Sequence, residues 1–197
     1  MGDDSDAVHR SGRWESVRRR WDRRAATYDK KGLRAERWAI GDGREWICAQ
    51  ARGRTLEVAI GTGRNLPLYG EVDLTGIDLS PAMLDVARRR SRQLGRSVDL
   101  REGPAEHLPF PDGHFDTVVC TLAVCSVADR AGAIAEMYRV LRPGGLLLLI
   151  DHVERRWLRG RPATLAVRYG FIPEHRERTR LGAIERLAAR KPGLPVT

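Results

Sequence analysis

The sequence predicts an α/β fold: a mostly parallel sheet with helices on both faces, closed by an antiparallel hairpin. Three observations carry this. Short apolar runs at Leu56–Ile60, Leu74–Ile77, Phe115–Leu122 and Leu146–Ile150 alternate with stretches of helical periodicity, as strands buried on both faces do. The first run passes directly into Gly61-Thr62-Gly63, a strand feeding a glycine turn. The tail breaks the alternation: Ile172 to Thr179 and Ala183 to Ala189 read as two strands joined at Leu181-Gly182, a hairpin rather than a crossover.

Residues 1 to 12 are polar and are expected to fray. A helix is expected from Trp14 to Tyr28, with Trp14, Val17, Trp21, Ala25 and Tyr28 on one face and arginines over the rest. That apolar stripe packs on the body of the domain or, in the alternative, touches a lipid surface. A second helical region, Leu33 to Ile40, ends at Gly41-Asp42-Gly43, and Asp42 can cap a third helix from Arg44 to about Ala51. After the glycine turn, Pro67 leaves room for only a short helix. Ser80-Pro81 is a strong helix start, an N-cap followed by a first-turn proline, and Gly95 marks the end. A third strand is expected near Val98 to Leu100 and a helix from Ala131 to Leu141. Arg142-Pro143-Gly144-Gly145 then breaks the chain before the fifth strand, and a short helix is expected at Ala163 to Tyr169.

With 197 residues the chain can bury one sizeable core, which we divide into a helical lid segment, 1–53, and a sheet-bearing core, 54–197. No apolar run approaches a membrane span, and the N-terminus has no secretory apolar core. Three cysteines at scattered positions suit neither a disulfide framework nor a zinc knuckle; they read as small buried hydrophobes in a reducing cytoplasm, with no metal expected. The net charge of +9 raises nucleic acid or an anionic membrane as partners. Its arginines are spread along the whole chain, as on solvated helix faces.

Two strand ends define a nucleoside site. Gly61 and Gly63 let the backbone approach a ligand, and Asp78, at the end of the second apolar run, offers a carboxylate to ribose hydroxyls. Asp78 could instead serve as a helix cap, but Ser80 already fills that role. His152, directly after the fifth strand, is a candidate base or a plain strand-end histidine. Tyr28 borders the pocket or packs in the core.

At Glu57-Val58-Ala59-Ile60-Gly61-Thr62-Gly63, Gly76-Ile77-Asp78-Leu79-Ser80-Pro81-Ala82-Met83-Leu84, Ala105-Glu106-His107-Leu108-Pro109-Phe110 and Arg139-Val140-Leu141-Arg142-Pro143-Gly144-Gly145, in that order, the chain resembles the class I S-adenosylmethionine-dependent methyltransferases. Within these it is similar to the phosphatidylethanolamine, quinone-ring, and thiol or small-molecule methyltransferases. The resemblance implies a Rossmann-like seven-stranded sheet and S-adenosylmethionine as cofactor. It places Glu57, Ala59, Gly61, Thr62, Gly63 and Asn65 toward the methionine end and Asp78 on the ribose. Leu79, Met83, Pro104, Ala105 and Glu106 fall around the adenine, with Thr121 at the end of the fourth strand. Pro104 is a departure, because relatives carry Asp or Asn there to accept from the adenine amino group. Ser126 and Cys125 stand where many relatives carry histidine. The catalytic candidates are His152, Ser126 and Tyr28.

Rival readings remain. A nicotinamide-dependent oxidoreductase needs a third glycine where Leu66 stands. A nucleic-acid methyltransferase of the base-amino type needs an Asn/Asp-Pro-Pro-aromatic motif where Thr121-Leu122-Ala123-Val124 stands. A non-catalytic cofactor-binding partner protein needs no acceptor. Only about twenty residues separate Asp151 from the hairpin. Such a short cover implies an open acceptor pocket, or one completed by a second copy in a homodimer. An open pocket suits a small-molecule or lipid-like acceptor, and residues 14–28 offer peripheral membrane contact.

Overall fold

Seven strands form one sheet in the computed structural model, which describes residues 3–30, 36, 39–153, 162–179 and 182–194. They are β1 (Arg54–Val58), β2 (Asp73–Asp78), β3 (Asp99–Glu102), β4 (Phe115–Thr121), β5 (Leu141–His152), β6 (Ile172–Thr179) and β7 (Ile184–Arg190). Their order across the sheet is β3-β2-β1-β4-β5-β7-β6. The pairs from β3 to β5 are parallel. β7 runs antiparallel to both β5 and β6, so the predicted C-terminal hairpin forms.

Five helices accompany the sheet among the described residues: α1 (Asp3–Tyr28), α2 (Gly43–Cys48), α3 (Pro81–Gln93), α4 (Arg130–Val140) and α5 (Pro162–Arg168). Alternate residues of each central strand enter opposite layers, as the two-residue strand period requires. Leu56, Val58, Val118, Cys120, Leu147 and Leu149 pack with α4 and α5 on one face. Val119, Leu148 and Ile150 pack with Ile47 and Cys48 of α2 and Leu84 of α3 on the other. Helix α2 therefore belongs to the core rather than to a covering segment. The two outer strands, β3 and β6, bury little: Asp99, Arg101 and Glu102 are exposed, as are residues 172–178.

The local signals explain most elements. The Ser80 side chain accepts from Met83 N and caps α3, with Pro81 in the first turn, and Asp129 caps α4 through Ala131 N. Three places differ from the sequence reading. Helix α1 begins at Asp3, well before Trp14, through residues whose polarity suggested fraying. Asp42 makes no capping bond to α2; its carboxylate accepts from Arg186 Nη2 at 2.5 Å instead. The break at residues 142–145 lies inside β5: Leu141 pairs with Phe115 and Leu146 with Thr117, so the proline-glycine segment bulges from a continuing strand. The second expected helix, 33–40, falls largely outside the described residues.

β2 pairs on one side of β1 and β4 on the other. Chain order reverses at this point, which opens a crevice beyond the carboxyl ends of the strands.

Candidate functional site

The crevice is a cleft of about 860 Å³ including its open mouth, walled by the ends of β1, β2 and β4 and roofed by α1. Each strand leaves the sheet abruptly. Ala59 after β1 and Leu122 after β4 both take φ of 55°, a left-handed conformation uncommon for residues with a Cβ. Gly61 follows at φ 58°, and a Cβ built on it meets nothing within 4 Å, so the backbone here faces open space.

Asp78 holds this turn in place. Its Oδ2 accepts from Gly61 N at 2.8 Å and its Oδ1 from Ser80 N at 2.9 Å. Burial nevertheless pushes its carboxyl up to about 6, against the pull of those two donors. The carboxylate thus has the shape and the need for further hydrogen-bond donors.

Below the turn lies a polar floor. Glu57 accepts from Asn65 Nδ2 at 2.8 Å and from the Tyr69 hydroxyl at 3.0 Å. Asn65 Nδ2 also reaches Thr121 Oγ1 at 3.1 Å, and Asn65 Oδ1 accepts from Arg44 Nη1 at 2.7 Å. Burial raises the Glu57 carboxyl to about 7, more than the hydrogen bonds from Tyr69 and Asn65 lower it.

The roof is tied to both walls. Trp14, Val17, Trp21 and Tyr28 face the cleft from one side of α1, at the helical spacing seen in the sequence. On one wall Asp22 Oδ1 accepts from Ser80 Oγ at 2.5 Å. On the other, Arg13 Nη2 donates to Ala128 O at 2.6 Å. At the end of α1, Asp29 accepts from Thr62 Oγ1 at 2.8 Å, Arg64 Nε at 3.0 Å and Arg90 Nη2 at 2.6 Å. Burial works to raise the Asp29 carboxyl, but these partners outweigh it and hold it below the ordinary range. Arg64 also stacks over the Tyr28 ring, 4.7 Å from its centroid.

The structure gathers many of the sequence-selected residues around this cleft. Glu57, Ala59, Gly61 and Thr62 line it from the β1 side. Asp78, Leu79 and Met83 line the β2 side, and Ala105, Glu106 and Thr121 the opposite wall, with Tyr28 and Ser126 at the rim. Four selected residues lie off the lining. Gly63 turns away from it: at φ 74°, a Cβ built there would meet Leu66 Cδ1 at 2.6 Å, so it packs the turn against the core. Asn65 is fully buried and acts through Glu57 and Thr121. Gly103 takes the place expected of Pro104.

His152 is the largest departure. It stands outside the cleft lining, with Nδ1 3.6 Å from Asp151 Oδ1 and 3.7 Å from Cys125 Sγ. Asp151 first, then Cys125, raises its imidazolium to about 10. Sequence reasoning missed Arg44 and Arg64, which reach the cleft among the predominantly solvated arginines. Arg64 carried a signal, its place directly after Gly63; Arg44, upstream of the first strand, carried none.

Comparison with known proteins agrees with this geometry. Residues 56–149 match the methyltransferase domain family, Methyltransf_11. A phosphatidylethanolamine N-methyltransferase of Cereibacter sphaeroides is 43% identical over 106 residues, 52% of each chain. A demethylmenaquinone methyltransferase of Deinococcus radiodurans is 40% identical over 107 residues, 52% of this chain and 44% of its own. The chain thus spans about half the length of these relatives. Among solved structures, an S-adenosylmethionine-dependent methyltransferase from Thermotoga maritima superposes with a TM-score of 0.68 at 22% identity, over 89% of this chain and 99% of its own. The cyclase SpnF has the same fold, with a TM-score of 0.66 at 22% identity over 76% and 80% of the two chains, so fold alone does not name the reaction. Strand order, switch-point cleft and family match together make residues 56–149 a class I S-adenosylmethionine-dependent methyltransferase domain.

Proposed function

We propose that the protein transfers a methyl group to a small-molecule or lipid-like acceptor in this cleft. The observation that carries the reading is the buried Asp78 carboxylate beside the open Gly61 turn. It lacks donors that a ribose would bring, and the glycine leaves room for a ligand against the backbone, so the residues fit the cofactor.

S-adenosylmethionine, when bound, supplies a methyl group made electrophilic by the positive sulfonium. The chain's own residues bind, orient and exclude water. Asp78 accepts from the ribose hydroxyls. The backbone from Ala59 to Thr62 faces the methionine end, held by Asp78 below and by Asp29 through Thr62. Leu79 and Met83 offer apolar surface to the adenine, with Ala105 opposite. Trp14, Val17 and Trp21 close the roof and keep the site dry, which strengthens every electrostatic contact inside it. Tyr28 and Ser126 line the cleft and would help to position an acceptor. Alignment and dryness suffice for an acceptor that is already nucleophilic, so a cleft lining without His152 is compatible with turnover.

The acceptor class rests on two supports. The roof helix turns its apolar stripe to the cleft and leaves exposed arginines at residues 13, 19, 20, 23 and 24 on its outer side. Such a helix can meet an anionic lipid surface. The two relatives named above act on a phospholipid and on a quinone. No helix of the described residues is long and apolar enough to cross a membrane. The test is a turnover screen with labelled S-adenosylmethionine over phosphatidylethanolamine vesicles, quinols, amines, phenols and thiols, beside duplex DNA and tRNA. Turnover on a small or lipid acceptor supports the reading. Turnover on nucleic acid alone overturns the acceptor class, and cofactor binding with no turnover on any acceptor points to a non-catalytic partner.

A further inference from the structure

We propose that Cys125, Asp151 and His152 form a binding site for a divalent cation of the zinc class, beside the mouth of the cleft. Among the described residues these three are the group whose ligand atoms, a thiol sulfur, a carboxylate oxygen and an imidazole nitrogen, all lie within 4.8 Å of one another.

The fold builds this cluster from two separate segments. The left-handed turn at Leu122 leads β4 into a 3-10 turn, Val124–Ser126. That turn brings Cys125 N within 3.0 Å of Asp151 Oδ2 at the end of β5. His152 N donates to Asp151 Oδ1 at 2.7 Å. The Asp151 carboxylate, 4% exposed, is thus fixed by two backbone donors and still keeps lone pairs on both oxygens.

The distances separate a cation site from a hydrogen-bonded relay. In a relay, the nucleophile and the acid contact opposite nitrogens of the imidazole. Here sulfur and carboxylate converge on the same nitrogen, at 3.7 and 3.6 Å. The second is too long for a nitrogen–oxygen hydrogen bond, and one N–H cannot serve both well. These separations instead approach the edges of a tetrahedron: bonds of about 2.3 Å to sulfur and about 2.1 Å to nitrogen or oxygen give edges of roughly 3.4–3.6 Å. The mixed thiolate, imidazole and carboxylate set favours zinc over magnesium or calcium, which want oxygen alone.

Exposure argues for an open site. The His152 side chain is 52% exposed, and Cys125 is partly exposed, whereas Cys48 and Cys120 are each 1% exposed. The reading of cysteines as small buried hydrophobes therefore fits the latter two and not Cys125. Three protein ligands with solvent access leave a coordination position for water or an added heteroatom. Ser126 Oγ lies 3.6 Å from Cys125 Sγ and Ser126 lines the cleft, so the site adjoins it.

The probe is Co²⁺, titrated into chelator-treated full-length protein and followed by absorbance. The expected result is one equivalent bound, with a thiolate-to-cobalt charge-transfer band in the near ultraviolet that Zn²⁺ displaces. Cys125→Ser should lose that band. His152→Ala should weaken cobalt affinity roughly tenfold or more, at least what the loss of an outer-sphere partner does elsewhere. Circular dichroism of both variants checks folding, and substitution of an exposed histidine leaves the core untouched. No charge-transfer band in the wild type overturns the proposal. So does a band that persists in Cys125→Ser, because the metal would then sit on another thiol. Both results are independent of methyl transfer.

Discussion

Glu57→Gln should make the protein more stable above neutral pH, although it removes a charge from a hydrogen-bonded network. Glu57 is 3% exposed, and burial raises its carboxyl from an ordinary 4.5 to about 7. Between those two values the folded protein binds more protons than the unfolded chain. Its stability therefore falls as pH rises; the contribution is fully present below 4.5 and is lost through about 7. At about 1.4 kcal/mol per pH unit, integration from pH 5 to pH 8 gives roughly 2–3 kcal/mol. Glutamine removes this loss while keeping the contacts: its oxygen accepts from Asn65 Nδ2, and its amide donates to the Tyr69 oxygen, whose hydroxyl can turn to accept. Urea denaturation of both proteins at pH 5 and pH 8 measures the effect. The variant should gain roughly 2–3 kcal/mol relative to wild type between those pH values. Asp78 titrates in the same direction in both proteins and largely cancels in the difference, apart from its mutual repulsion with Glu57. A stability difference that stays constant across the range would refute the assignment of a buried, proton-binding carboxyl.

Asp78→Ala should weaken S-adenosylmethionine binding at least about tenfold by calorimetry, since each hydrogen bond to a charged group is worth roughly 1.5–3 kcal/mol; wild-type affinity should fall as pH drops through about 6, and the variant's should not. Asp22→Ala removes the acceptor for Ser80 Oγ and should loosen the roof, seen as stronger acrylamide quenching of tryptophan fluorescence and a raised cofactor KM with the sheet intact. Gly76→Ala would bring a Cβ to 2.5 Å from Ile60 Cδ1 and 2.9 Å from Leu100 Cδ2, and should lower stability by about 1–3 kcal/mol in a thermal melt.

The legible parts of the fold are those where one residue type has one physical meaning. The glycines after β1, the Ser80-Pro81 start of α3, Asp78 at the end of β2 and the apolar strands were all visible for this reason. The parts that were not visible depend on partners distant in sequence. Helix α1 starts at Asp3, ahead of the stretch whose periodic apolar face docks on the cleft from Trp14 on and whose Asp22 meets Ser80. The segment at 142–145 reads as a break between elements, yet pairing on either side with β4 carries β5 straight through it. Asp42 looks like a cap until Arg186, far along the chain, takes its carboxylate. Arg64 looks like surface charge until Asp29 and the Tyr28 ring enclose it. His152 sits at the right strand end for a base, but strand-end position does not reveal which neighbours share its proton.

The two outer strands decide how copies of this protein can meet. Unpaired strand edges recruit other strands, and proteins suppress this with charge and proline. β3 ends the sheet with Asp99, Arg101 and Glu102, and β6 ends it with Pro173, Glu174, Arg176, Glu177 and Arg178. A continuous sheet across two molecules would bring these like and unlike charges into register at an interface with little apolar surface to compensate. Self-association by edge pairing is thereby disfavoured at both ends of the sheet. A second copy would instead meet a helical layer or the roof, and the edge arginines Arg176 and Arg178 serve twice, as guards of the strand edge and as partners of the buried Glu185.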